Sequence, residues 1–147
     1  MNKNIKIGVI GVGYLGRFHA QKYAAMEGVE LVGVVDADGD RAAQVAKECA
    51  TRSLTNYQEL LPLVDAVSVV VPTSLHHEVG RTCLLAGVDV MMEKPVTTTL
   101  AEADDLISLA LCAHASADVD CEARDPVAAA LHRAAADFGV RPTPEEV

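Results

Sequence analysis

The sequence predicts an α/β protein with a doubly wound parallel sheet, and three observations carry that prediction. Apolar runs alternate with helical patterns along the N-terminal two-thirds of the chain. The runs are nearly unbroken Val and Ile where a half-buried strand would alternate with polar residues, so they read as strands covered on both faces. Strands buried in this way and separated by helices pair in parallel through right-handed crossovers.

The elements follow in order. The apolar run Ile5–Ile10 forms the first strand and stops at Gly11. A helix is expected over 14–26 behind a glycine turn, then a strand over 30–35, "ELVGVV". A helix over 41–49 and a short strand near 51–54 come next. In "Asn56-Tyr-Gln-Glu59" an Asn precedes a Glu by three residues, the capping-box spacing that starts a helix. Strand 66–71, "AVSVVV", helix 76–86 and strand 88–92 continue the alternation. A second capping box, Thr99-Leu-Ala-Glu102, opens the last helix of a domain assigned to residues 1–110.

Residues 111–147, "LCAHASADVDCEARDPVAAALHRAAADFGVRPTPEEV", hold no convincing strand and form an alanine-rich tail without an assigned role. One helix is expected there, over about 126–137, with Asp125 as N-cap, Pro126 at its first position and Gly139 as stop. Val127, Ala130, Leu131, Ala134 and Phe138 share one face of it.

A chain of 147 residues is the size of one domain. Half of it is apolar but only three Tyr and two Phe are aromatic, so the core is built from Val, Leu, Ile and Ala. No apolar run approaches the ~20 residues of a membrane span, and the start lacks the apolar stretch of a secretory signal. A soluble, cytoplasmic protein is expected. The net charge of −9 argues against nucleic acid and anionic membranes as partners, because both need basic patches. A phosphate ligand stays possible, since backbone N–H groups at a helix N-terminus bind one locally. The four cysteines form no C-x-x-C pair and are read as reduced thiols. Cys112, His114, Cys121 and His132 match no structural zinc spacing, so no metal is expected.

The most specific local signal is "GVIGVGYLGRFHA". Gly11, Gly13 and Gly16 stand at G-x-G-x-x-G spacing, between a strand and a helix, and Asp36 ends the next strand twenty residues after Gly16. In a dinucleotide cradle Gly11 permits the tight turn, Gly13 lets backbone approach a pyrophosphate, and Gly16 lets the helix lie close. The N–H groups of Tyr14 and Leu15 then face phosphate oxygens, and Asp36 accepts from the ribose hydroxyls. The alternative is a plain turn in which Asp36 caps the helix that follows. Asp36 also speaks to cofactor choice: NADP carries a phosphate where this carboxylate would sit, so NAD is expected. Asp38 adds negative charge and Arg41, read as solvent-facing, is the nearby cation.

Two further stretches lie at C-terminal ends of expected strands, where open α/β sheets bind ligands. They are "VVVPTSLHHE" from Val69 and "VMMEKPVTTTLAEA" from Val90. With the glycine loop and Asp36, this order resembles the N-terminal NAD-binding domain of the glucose-fructose oxidoreductase/inositol dehydrogenase (Gfo/Idh/MocA) family over residues 4–110. The most telling feature is Glu93-Lys94-Pro95. The family's T-P-N-x-x-H loop is matched from Pro72 to His76, with Val71 and Thr73 in place of the usual Thr and Asn. Shorter loop likenesses point within the family to members that oxidise nucleotide-linked amino sugars.

The resemblance implies a Rossmann fold binding NAD, and hydride transfer at a hydroxyl of a sugar, sugar nucleotide or polyol. It implies that Lys94 lies beside the nicotinamide and the substrate hydroxyl as the catalytic group, where its charge opposes alkoxide development and burial lowers its pKa. Glu93, Val71, Pro72, Thr73 and His76 would flank the cofactor, the alternative for His76 being a helix-start histidine without a ligand. His19 and His77 are read as structural. Family members continue with a sixth strand and an α+β substrate domain, neither of which is expected in residues 111–147. A truncation, a frame change or fusion, and a genuine short protein remain open, the alanine-rich tail favouring a frame change or fusion. Without the sixth strand the sheet edge invites pairing with a second copy. Two other functions stay beside the dehydrogenase: a non-catalytic NAD(H)-binding sensor or interaction module, and a domain without ligand function.

Overall fold

The computed structural model describes residues 4–114. The chain runs β1 (Ile5–Ile10), α1 (Tyr14–Ala24), β2 (Val29–Val35), α2 (Gly39–Glu48) and β3 (Arg52–Leu54), then β4 (Ala66–Val69), α3 (His76–Leu85), β5 (Asp89–Met92) and α4 (Leu100–His114). Every strand pairing is parallel and the order is β3-β2-β1-β4-β5. The direction of winding reverses between β1 and β4, which makes the sheet doubly wound.

Successive side chains of a strand point to opposite faces, and this splits the core in two. Val9 and Val34 pack with Ala20 of α1 and with Val45 and Ala46 of α2. Ile10, Val35, Val67 and Val69 pack on the other face with Leu60, with Val79 and Cys83 of α3, and with Val88. Burial on both faces, read from the unbroken Val and Ile runs, holds for the C-terminal halves of β1 and β2 and for β4. It does not hold for β5, an edge among the described strands, whose residues alternate and leave Met91 half exposed.

Two expected elements differ. The segment after Asn56 forms no α-helix but two short 3₁₀ turns, Tyr57–Glu59 and Leu61–Leu63. The Asn56 side chain does accept from the Gln58 N–H at 3.0 Å. Pro62, however, has no N–H to give the Gln58 carbonyl, so a helix cannot propagate through it. Leu60, wholly buried between the turns, fixes them to the core. The strand expected to reach Val71 ends at Val69. Val70 still donates to the Ile10 carbonyl at 2.8 Å, but Gly11 then turns the neighbouring chain away.

The second capping box forms as expected. Thr99 Oγ1 accepts from the Glu102 N–H at 3.2 Å, and Glu102 Oε2 accepts from the Thr98 and Thr99 N–H groups and the Thr98 hydroxyl. These bonds, the Thr98 hydroxyl first, hold the Glu102 carboxyl below its ordinary range. Asp105 ties α4 to α3 through His77 Nε2 at 2.7 Å and Arg81 Nε at 3.2 Å. Cys49 and Cys83 carry free thiols, and burial pushes Cys83 up to about 12. Cys112, in contrast to the reading of reduced thiols, is disulfide-bonded. The helix expected over 126–137 lies outside the described residues, as do Cys121 and His132. Among the described residues no helix is long and apolar enough to cross a membrane.

Candidate functional site

The three glycines of the first turn are required for three different reasons. Gly11 has φ +89, and a Cβ there would stand 2.6 Å from the Val70 carbonyl oxygen. A Cβ on Gly16 would strike the Gly11 carbonyl oxygen, so only glycine lets α1 start this close to the turn. Among the described residues, nothing lies within 4 Å of a Cβ built on Gly13. Its missing side chain leaves open space in front of the backbone, the form a cradle takes when another molecule must approach it.

Gly13 is also the N-cap of α1, with no side-chain cap and no acidic residue in the first turn. The first N–H groups of a helix have no partner within it and carry the positive end of its dipole. The N-termini of α2 and α4 are closed differently: Asp38 accepts from Asp40 and Arg41 N–H, and Thr99 and Glu102 form a capping box. In a chain of net charge −9, α1 thus presents Tyr14 and Leu15 N–H groups without competition from a carboxylate of its own first turn.

Asp36 faces this turn from the end of β2. Its Oδ2 accepts from the Val12 N–H at 2.9 Å, and its Oδ1 accepts from the Asp38 N–H at 2.9 Å. The carboxylate is 10% exposed. Asp38 and not Asp36 caps α2, so Asp36 does not take the helix-capping role that the plain-turn alternative gave it. Arg41 is half exposed, as a solvent-facing residue would be, yet it pairs with Asp36 at 3.5 Å and Asp38 at 3.3 Å.

The opposite wall comes from the loops after β4 and β5. Val71, Pro72 and Thr73 lead through a 3₁₀ turn into α3. His76 is buried, with Nε2 2.9 Å from the Val71 carbonyl and Nδ1 2.9 Å from the Pro95 and 3.1 Å from the Val96 carbonyl. Its ring ties the two loops together, and its nitrogens meet backbone. Glu93 donates its N–H to the Val69 carbonyl at 3.1 Å. One Glu93 oxygen lies 3.0 Å from His19 Nε2, and the other accepts from the Lys94 N–H at 3.2 Å. Lys94 is exposed on the open side; the burial expected of it is not supplied by the described residues.

All the residues singled out in the sequence line one cleft of about 770 Å³: Gly11, Gly13, Tyr14, Leu15, Gly16, Asp36, Val71, Pro72, Thr73, His76, Glu93 and Lys94. That volume suits a small-molecule ligand, and the cleft sits at the C-terminal strand ends where the winding reverses. Sequence reading missed Thr55 and Tyr57, which also line it just past β3. Their signal was the same strand-end position, obscured because β3 is only three residues long.

A glycine turn opening on an uncapped helix end, with a carboxylate across from it, defines a dinucleotide-binding domain. The Gfo/Idh/MocA model, an oxidoreductase family with an NAD-binding Rossmann fold, matches residues 5–120, and the chain belongs to that family. UDP-N-acetylglucosamine 3-dehydrogenase of Acidithiobacillus ferrooxidans is 50% identical over 107 residues, 73% of this chain and 34% of that protein. The solved structure of that enzyme superposes with TM-score 0.73 over 76% of this chain and 36% of its own. GenD2 from gentamicin A biosynthesis, solved with NAD, is 28% identical with TM-score 0.73, over 76% and 32% of the two chains. KijD10, a 3-ketoreductase from Actinomadura kijaniata solved with NADP and TDP-benzene, is 30% identical with TM-score 0.71, over 75% and 35%. This chain therefore spans about a third of the length of these relatives.

Proposed function

We propose that residues 1–110 are the cofactor domain of an NAD-dependent dehydrogenase acting on a CH–OH group of a sugar, sugar nucleotide or polyol. The observation that carries the reading is the open space at Gly13 in front of the uncapped start of α1. Gly13 and the Tyr14 and Leu15 N–H groups would hold the pyrophosphate, and Asp36 the adenosine ribose. Bound NAD would supply the hydride acceptor. Val71, Pro72, Thr73 and Glu93 would border its nicotinamide end, and Lys94 would assist proton transfer at the substrate hydroxyl. NAD is favoured over NADP because Asp36 is largely desolvated and Arg41 is already shared with Asp38.

A sugar nucleotide is the preferred substrate class on the strength of the 50% identical relative. β5, the edge strand among the described residues, suits pairing with a second copy of the chain, and a cytoplasmic setting suits the cofactor. The exposure of Lys94 supports a second reading, a non-catalytic NAD(H)-binding module, for the chain acting alone.

Titration calorimetry of NAD⁺ into the 147-residue chain tests the reading. The wild type should bind, and Gly13→Val should lose binding while its circular dichroism stays unchanged, since no described atom lies within 4 Å of the Cβ it adds. A folded wild type that takes up no NAD⁺ or NADH overturns the proposal.

A further inference from the structure

Ser68 sits in an apolar sheet with no exposed surface. Its neighbours Val67 and Val69 face the α3 side, so the alternation of β4 turns Ser68 toward α1. A buried hydroxyl needs a partner, and His19 Nδ1 lies 2.7 Å away. The other ring nitrogen, Nε2, lies 3.0 Å from Glu93 Oε1. Glu93 Oε2 in turn accepts from the Lys94 N–H at 3.2 Å. The donors fix the direction of this chain. An ionised carboxylate only accepts, so Nε2 carries the proton and donates to Glu93. In the neutral ring Nδ1 is then the acceptor, and the Ser68 hydroxyl donates to it.

We propose that His19 is a positioning residue: anchored on Ser68, it orients the Glu93 carboxylate and through it the backbone at Lys94. The proposal rests on the reading of Lys94 as the group beside the substrate hydroxyl. His19 is on α1, six residues after Gly13, about 9 Å along the axis. One rigid helix therefore carries the pyrophosphate cradle at its start and, on its sheet-facing side, the histidine that sets Lys94. The two ends of the cofactor site are registered to each other through α1. On the far side His76 holds the Pro95 and Val96 carbonyls, so the Glu93–Val96 turn is gripped from both faces of the sheet.

The test separates the two nitrogens of His19. Gln at this position places an amide near Nε2, and Asn places one near Nδ1. The readouts are the solvent-exchange rate of the Lys94 amide by NMR and NAD⁺ affinity by calorimetry, on the full chain. His19→Gln should keep the Lys94 rate near that of the wild type, whereas His19→Asn should raise it roughly tenfold, the loss of one charge-assisted hydrogen bond. In a Glu93→Ala background the two substitutions should become equivalent. Equal Lys94 rates in His19→Asn and His19→Gln, in a wild type that binds NAD⁺, overturn the positioning role and leave the cofactor reading standing. A wild type that binds no NAD⁺ fails the cofactor reading instead. Should His19→Asn not fold, the ring ¹⁵N shifts of wild-type His19 at pH 8 decide: a proton on Nε2 supports the relay, and one on Nδ1 alone overturns it.

Discussion

The structure makes Asp36→Asn the sharpest test of cofactor choice. Removing the side chain altogether would also release the Val12 N–H from Oδ2 and loosen the glycine turn. Asparagine keeps an oxygen there and removes only the charge. A 2′-phosphate oxygen placed about 4 Å from the carboxylate meets about 4 kcal/mol of repulsion per charge pair at an effective dielectric of 20. Arg41, half exposed and 3.5 Å away, offsets part of this, and salt screens more. Taking half as surviving leaves roughly 2 kcal/mol, or about thirtyfold against NADP. Ribose hydroxyls donating to a charged acceptor add roughly 1.5 kcal/mol in favour of NAD. The wild type should then prefer NAD by two to three orders of magnitude, while Asp36→Asn should weaken NAD binding about tenfold and bring the two affinities within about tenfold. Calorimetry with both cofactors at two salt concentrations measures the ratio, which should shrink as salt rises. Tighter NADP than NAD binding by the wild type, or an unchanged ratio in Asp36→Asn, refutes the assignment.

Gly16→Ala should destabilise the chain by roughly 2 kcal/mol despite better helix propensity, because its Cβ meets the Gly11 backbone; urea unfolding measures it. Glu102 is expected to register acid locally. Its folded pKa lies below the ordinary 4.5, so its capping contribution is complete above that value and is lost as pH falls through the folded pKa. The Thr98 and Thr99 amide shifts should follow that titration, and Glu102→Gln should abolish it. The chain alone should reduce no NAD⁺ with UDP-N-acetylglucosamine or a panel of polyols, because Lys94 is exposed and no described residue orients a substrate beside it. Turnover that disappears in Lys94→Ala would show that orientation is supplied after all.

Much of this protein was legible in one dimension because local chemistry carried it. The parallel pairing of strands follows from unbroken Val and Ile runs separated by helical patterns. The cradle follows from three glycines at a fixed spacing, and the start of α4 from Thr99 and Glu102, whose reciprocal bonds span three residues. Asn56 and Glu59 showed the same spacing, yet Pro62, just beyond the box, stopped the helix.

Tertiary structure decided what depends on distant partners. Asp36 could have capped α2 until its oxygens were placed on Val12 and Asp38, and Arg41, exposed as read, proved to be paired with two carboxylates. The family loop marked His76 and left His19 as structural, but neither reading named a partner. The fold gave one three backbone carbonyls from two loops and joined the other to Ser68 and Glu93, which lie 49 and 74 positions away. The sequence by itself determined the glycine turn, the strands and the families of residues at their ends, since each rests on contacts within a few residues. Which polar atoms meet across the sheet is a property of packing: it depends on strand order and helix rotation, and neither is encoded at the positions that make the bond.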